Sequence, residues 1–87
     1  MYMAKVVGNV VATRKDPSLV GYKLMVVKRI NSKCEFIGEE EVAADYVGAG
    51  IEDYVLICKG SAVRVEDQKQ KASIDMAIIG IIDSFDA

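Results

Sequence analysis

The stretch from Val47 to Arg64 contains the pattern that most resembles a ligand site. A turn formed by Gly48, Ala49 and Gly50 precedes an apolar run, and a Gly-Ser pair follows that run. Glycine-rich turns hold phosphate when a helix follows and its first amides point at the ligand. Here the next segment is short and rich in branched residues, which predicts a strand. Asp53 also stands where a dinucleotide fingerprint has its third glycine. We therefore predict a structural turn that uses the backbone freedom of glycine and binds no nucleotide.

Carboxylates are the next candidates for chemistry. Residues 39–41 are three successive glutamates, and their oxygens would suit a hard cation. In a strand, however, successive side chains point to opposite faces, so the run is predicted to be a solvated edge. Asp45, Asp75 and Asp83 have no candidate nucleophile or base beside them and are predicted to be turn caps or surface charges.

The composition argues against metal binding, redox chemistry and general-base catalysis. The chain has no histidine, the commonest general base and transition-metal ligand. Its two cysteines, Cys34 and Cys58, are far apart and outside any CxxC spacing, which favours free thiols. We predict no metal, no cofactor and no enzymatic activity.

The charge pattern argues against nucleic acid as a partner. The formal net charge is −2, and the 11 lysines and arginines are scattered without a basic stripe. The six Tyr and Phe residues could in principle form a stacking platform for single strands, but they fall in different elements without interleaved basic residues. Packing and interface roles are the better prediction for these six residues, which are Tyr2, Tyr22, Phe36, Tyr46, Tyr54 and Phe85.

No membrane segment or export signal is predicted. No apolar run approaches the roughly 18 residues of a membrane span, and the first 15 residues lack a basic start and a small-residue cleavage site. We expect a cytosolic chain with no membrane partner.

Apolar alternation and turn residues predict one all-β domain over residues 1–87. A loop is predicted from Ile30 to Gly38, and Ser61 is a candidate N-cap for a short helix through about Glu66. Such a chain is typical of a small, partly open barrel similar to an OB-fold. The five predicted strands cover residues 3–14, 22–28, 39–47, 53–59 and 73–83.

Two of these strands have more apolar faces than one small barrel can bury. The second strand is apolar on both sides, and the last carries Ile79 and Ile81 on the face opposite Met76 and Ile78. A chain with 52% hydrophobic residues and only 87 positions has little interior in which to hide them. We therefore expect neighbouring copies of the chain to cover Ile79 and Ile81.

The order of segments resembles a known family over nearly the whole chain. "GNVVATRKDPSLVGYKLMVV", "VAADYVGAGIEDYVLICKGSAVR" and "SIDMAIIGIID" are similar to the pentameric vertex proteins of bacterial microcompartments, the EutN and CcmL type. Departures are confined to Ile51, Glu52 and Asp53 after the glycine turn and to the "KCEFIGEE" loop. The resemblance implies a cyclic homopentamer that closes a carboxysome-like shell, with hexameric shell proteins as partners. It also favours a subunit contact or the ring axis for the Gly48 to Gly50 turn. The alternative is an OB-like module that binds single-stranded nucleic acid or a small metabolite.

Overall fold

Five strands close into a barrel in the computed structural model, which describes residues 1–13, 17, 21–60 and 75–85. The order around the barrel is β1-β2-β3-β5-β4, and every neighbouring pair is antiparallel except β3 and β5. The predicted all-β, OB-like barrel is thus confirmed, and it is closed where the sequence predicted a partly open one. The helix predicted from Ser61 lies outside the described residues. The strands are β1 (Tyr2–Val10), β2 (Lys23–Ile30), β3 (Phe36–Asp45), β4 (Tyr54–Lys59) and β5 (Met76–Ile81).

The inner face of the barrel is apolar because side chains alternate along each strand. Ala4 and Val6 of β1 are fully buried, as the small apolar face of that segment predicts. Every member of the inner cluster among the described positions is apolar, so the interior of the barrel is held by hydrophobic packing. The inner cluster consists of Ala4, Val6, Met25, Val27, Ala43, Ala49, Val55, Ile57, Met76 and Ile78.

A second apolar cluster lies outside this core, on the other face of the same strands. Its buried centre is formed by Ala44 of β3 and Ala77 of β5, which are direct partners in the parallel pair. The Tyr22 and Tyr46 rings pack nearby with their centroids 5.5 Å apart. Leu24 and Ile79 also belong to this cluster, so the second apolar faces predicted for β2 and β5 are real.

The loop predicted from Ile30 to Gly38 is too long at both ends, because Ile30 belongs to β2 and β3 begins at Phe36. The irregular part is a tight turn in which Asn31 Oδ1 accepts hydrogen bonds from the amides of Lys33 (2.9 Å) and Glu35 (3.1 Å). Cys34 turns the chain with a φ of 61°. Five residues therefore complete the hairpin, and Phe36 already pairs with Ile30.

Other strand boundaries also differ from the prediction. β1 ends at Val10, β2 begins at Lys23 and β5 spans only Met76–Ile81. In addition, the pairing of β1 with β2 slips by one residue between Val6 and Gly8. A bulge of this kind bends a strand and strengthens its twist, which a small barrel requires in order to close.

Candidate functional site

The glycine turn, residues 46–53, connects β3 to β4 and is anchored at its start by Asp45. The Asp45 carboxylate is only 2% exposed, and its Oδ1 accepts hydrogen bonds from the amides of Val47 and Gly48, both at 3.0 Å. Lys23 Nζ lies 3.6 Å from Asp45 Oδ2 and donates to the Ala49 carbonyl at 3.0 Å. Asp45 is therefore the turn cap that the sequence predicts, with a lysine added that sequence reasoning did not link to it.

The second half of the turn is fixed by its own backbone and by β1. The Gly50 amide donates to Asp53 Oδ2 at 2.8 Å, and the Asp53 amide donates back to the Gly50 carbonyl at 3.1 Å. The Glu52 amide donates to the Val6 carbonyl at 2.8 Å, and the Val6 amide donates to the Asp53 carbonyl at 2.9 Å. The Gly50 amide, which a phosphate would need, is thus bonded to a carboxylate of the chain.

Positive φ angles in the turn occur at one glycine and one glutamate. Gly48 has a φ of 82°, as a glycine turn with positive φ predicts. Glu52 has a φ of 81°, a left-handed conformation that costs a residue with a Cβ about 1 kcal/mol. Its Oε2 lies 3.1 Å from Lys5 Nζ, and this hydrogen bond raises the pKa of Lys5. The turn therefore holds an acidic side chain at its tip.

A polar cluster at the opposite end of the barrel was not foreseen from the sequence. The Tyr2 hydroxyl donates to Glu41 Oε1 at 2.7 Å, and Lys59 Nζ lies 3.5 Å from Glu41 Oε2. The Arg29 guanidinium lies 4.7 Å from the centroid of the Tyr2 ring. Burial first, and then the hydrogen bond to Glu41, raise the pKa of Tyr2.

This cluster corrects part of the prediction for residues 39–41. Glu39 and Glu40 are exposed, as a solvated edge requires, but Glu41 is half-buried and engaged by two partners. The only available signal was the alternation that puts Glu41 on the same face as Ala43. The partner Tyr2 is 39 residues away in sequence, and no pattern links the two.

An apolar groove runs along the outer face of β1 and β4. It consists of two depressions of about 410 Å³ and 480 Å³ that share Met3 and Leu56, which are direct cross-strand partners. Ile37 and Ile81, at 55% and 41% exposed, lie on its walls. We call this surface the apolar groove, and its lining residues are Met1, Tyr2, Met3, Arg29, Ile30, Asn31, Ser32, Ile37, Leu56, Ile81, Ile82, Ser84 and Phe85.

The structure does not bring all the predicted site residues into one place. Gly48, Ala49 and Gly50 lie in the glycine turn, where Ala49 is fully buried. Ile81 lines the apolar groove, whereas Ile79 is half-buried in the outer cluster around Ala44 and Ala77. Both isoleucines lie outside the inner core, and their role at a subunit contact stays a prediction.

The described residues contain no cluster suited to metal or redox chemistry. Within residues 1–13, 17, 21–60 and 75–85, no three His, Cys, Asp or Glu side chains are grouped so that they could bind a metal ion. Cys34 is exposed, Cys58 is half-buried, and neither forms a disulfide. In the same part of the chain, no helix has the length and apolar character needed to cross a membrane.

The barrel, the hydrogen-bonded turn and the exposed groove together define a small all-β domain. Comparison with known proteins identifies its family: the model described as "Ethanolamine utilisation protein EutN/carboxysome" matches residues 1–83, and the chain belongs to this family. It is 46% identical to the carboxysome shell vertex protein CcmL of Synechococcus elongatus over 97% of this chain and 85% of that protein. It is 41% identical to the microcompartment shell vertex protein PduN of Salmonella typhimurium over 97% of each chain.

Solved structures agree with this assignment. The pentameric microcompartment shell protein GrpN of Rhodospirillum rubrum superposes with a TM-score of 0.89 and 40% sequence identity. The alignment covers 100% of this chain and 99% of that one. The resemblance stated from the sequence motifs is therefore confirmed.

Proposed function

We propose that five copies of this chain form a ring that occupies the vertices of a bacterial microcompartment shell and thereby closes it. The observation that carries this proposal is the superposition of the whole chain on GrpN, a pentameric shell protein. Relatives named as shell vertex proteins, at more than 40% identity, support the same role.

The mechanism is geometric and needs no reactive group. A layer of hexagonal units stays flat, and pentagonal units at isolated points force it to curve and close. A wedge-shaped subunit with adhesive lateral surfaces is sufficient for that task. We therefore propose a structural protein without enzymatic activity, whose partners are its own copies and the hexameric proteins of a shell in the bacterial cytoplasm.

The subunit contacts are proposed to include the residues singled out from the sequence. Ile81 supports this because it is 41% exposed on the wall of an apolar groove, where burial against another copy would be favourable. Gly48, Ala49 and Gly50 are proposed to lie at a contact or near the ring axis, since their turn is rigid and small. Ile79 is proposed to contribute through the outer cluster of which it is part.

An omission experiment in cells tests the vertex role. The genes for the cognate hexameric shell proteins are expressed with and without this chain, and particles are compared by electron microscopy. Without the chain, we expect sheets, tubes or elongated open bodies, and adding it back should restore compact closed shells. Closed, compact shells in its absence, with no other vertex protein expressed, would contradict the proposed role.

A further inference from the structure

A closed ring of five places a requirement on the surfaces of one subunit. In a cyclic pentamer each contact is head-to-tail, so one patch of a subunit meets a different patch of the next. Contact of a patch with its own counterpart would give a two-fold dimer instead. The chain must therefore expose two complementary lateral surfaces, and the apolar groove supplies only one.

The glycine turn offers a second exposed apolar surface. Val47 and Ile51 project from it and are 41% and 50% exposed, although their neighbour Ala49 is fully buried. The turn is already held by the Asp45 carboxylate, the Lys23 ammonium and the backbone of Val6. Docking it into a partner would cost little ordering entropy, because its backbone is fixed beforehand.

Charge distinguishes the two surfaces and makes them complementary. Among the described lining residues of the apolar groove, Arg29 is the one with a charged side chain, and the charged side chains of the glycine turn are the acidic Glu52 and Asp53. The Glu52 side chain remains 77% exposed despite its contact with Lys5, so it is available to a second cation. Opposite charges at the edge of an apolar contact favour one register over the alternatives.

We propose that the glycine turn of one subunit, through Val47 and Ile51, docks into the apolar groove of the next, with Glu52 facing that neighbour's Arg29. This contact rests on the proposed pentamer and assigns its two lateral surfaces. At each interface, the glycine turn of one subunit therefore faces Ile81 of the next subunit.

Two aspartate substitutions and a mixing experiment test the assignment. Ile51→Asp alters the turn, Ile81→Asp alters the groove, and Val42→Asp is the matched control. Val42 is 51% exposed on β3 and belongs to neither surface. Native mass spectrometry at equal concentrations is expected to give pentamers for the wild type and Val42→Asp, and monomers for each of the other two. Circular dichroism checks that every variant keeps the strand signal.

A mixture of the two monomeric variants makes the test specific. Ile51→Asp retains an intact groove, and Ile81→Asp retains an intact turn, so one good contact can form between them and no further subunit can be added. An equimolar mixture is therefore expected to give heterodimers. If both folded variants stay monomeric when mixed, the turn and the groove do not meet and the proposal is wrong.

The remaining outcomes separate this contact from the proposed function. If the wild type is a pentamer and both variants are also pentamers, the docking assignment fails while the vertex role stands. If the wild type is not a pentamer, the vertex role fails first. Arg29→Glu, at an exposed position of the groove, gives an independent test if an aspartate variant does not fold. The dissociation constant between subunits is expected to rise about tenfold or more. Unchanged dissociation would contradict the predicted charge pairing.

Discussion

Replacing Asp45 with alanine should destabilise the chain through the glycine turn. The substitution removes the acceptor of two amide hydrogen bonds, from Val47 and Gly48, each 3.0 Å long. Hydrogen bonds contribute about 1 kcal/mol each after exchange with water. The Asp45 side chain is only 2% exposed, so water cannot readily replace it as the acceptor of these two hydrogen bonds. We expect a loss of about 2 kcal/mol in the free energy of unfolding, which corresponds to a fall of about 10 °C in Tm for a chain of this size.

Asp45→Asn is the matched control, because its Oδ1 can still accept both amides. It loses the negative charge that pairs with Lys23 but keeps an acceptor for both amides, so its loss of stability should be smaller than that of the alanine variant. Thermal unfolding is followed by circular dichroism at matched protein concentration, because ring assembly adds to stability. The Tm should be highest for the wild type, lower for Asp45→Asn and lowest for Asp45→Ala. An alanine variant as stable as wild type would refute the view that Asp45 organises the turn.

Three further predictions concern single side chains or backbone angles. Glu52→Gly should be about 1 kcal/mol more stable than Glu52→Ala in denaturant unfolding, because both lose the contact with Lys5 and only glycine relieves the φ of 81°. Gly48→Ala should lower stability by about 1 kcal/mol, since its φ is 82°, whereas Gly8→Ala, in a strand with ordinary contacts, should leave it nearly unchanged. Tyr2 should ionise above the ordinary range of tyrosine in an ultraviolet titration, because burial and the hydrogen bond to Glu41 raise its pKa in the folded state. Its contribution to stability is therefore full below about pH 10 and is lost as the pH rises further, and Tyr2→Phe should remove that dependence.

The sequence predicted the parts of the fold that depend on local pattern. Alternation correctly identified the inner face of β1 through Ala4 and Val6, and it placed Ile79 and Ile81 outside the inner core. Glycine spacing predicted a turn before β4, and Gly48 has the positive φ that this requires. These features are set by residues close together in the chain, so pattern alone is enough to find them.

Features that depend on distant residues could not be found in this way. The polar residues after Ile30 hid the start of β3, although only Asn31 to Glu35 form the turn and Phe36 already pairs across the hairpin. Glu41 meets Tyr2 only because the barrel closes, and no periodicity encodes that contact. The apolar groove likewise combines both ends of the described chain with the β2–β3 hairpin, so its shape exists only in three dimensions.

The measurement that tests the central claim most directly is a cryo-electron microscopy reconstruction of closed shells assembled from this chain and its hexameric shell partner. The account predicts density at each five-fold vertex that fits five copies of the barrel, with the glycine turn of each copy against the next. Closed shells whose vertices contain no density for this chain, or in which the chain tiles the facets, would contradict it.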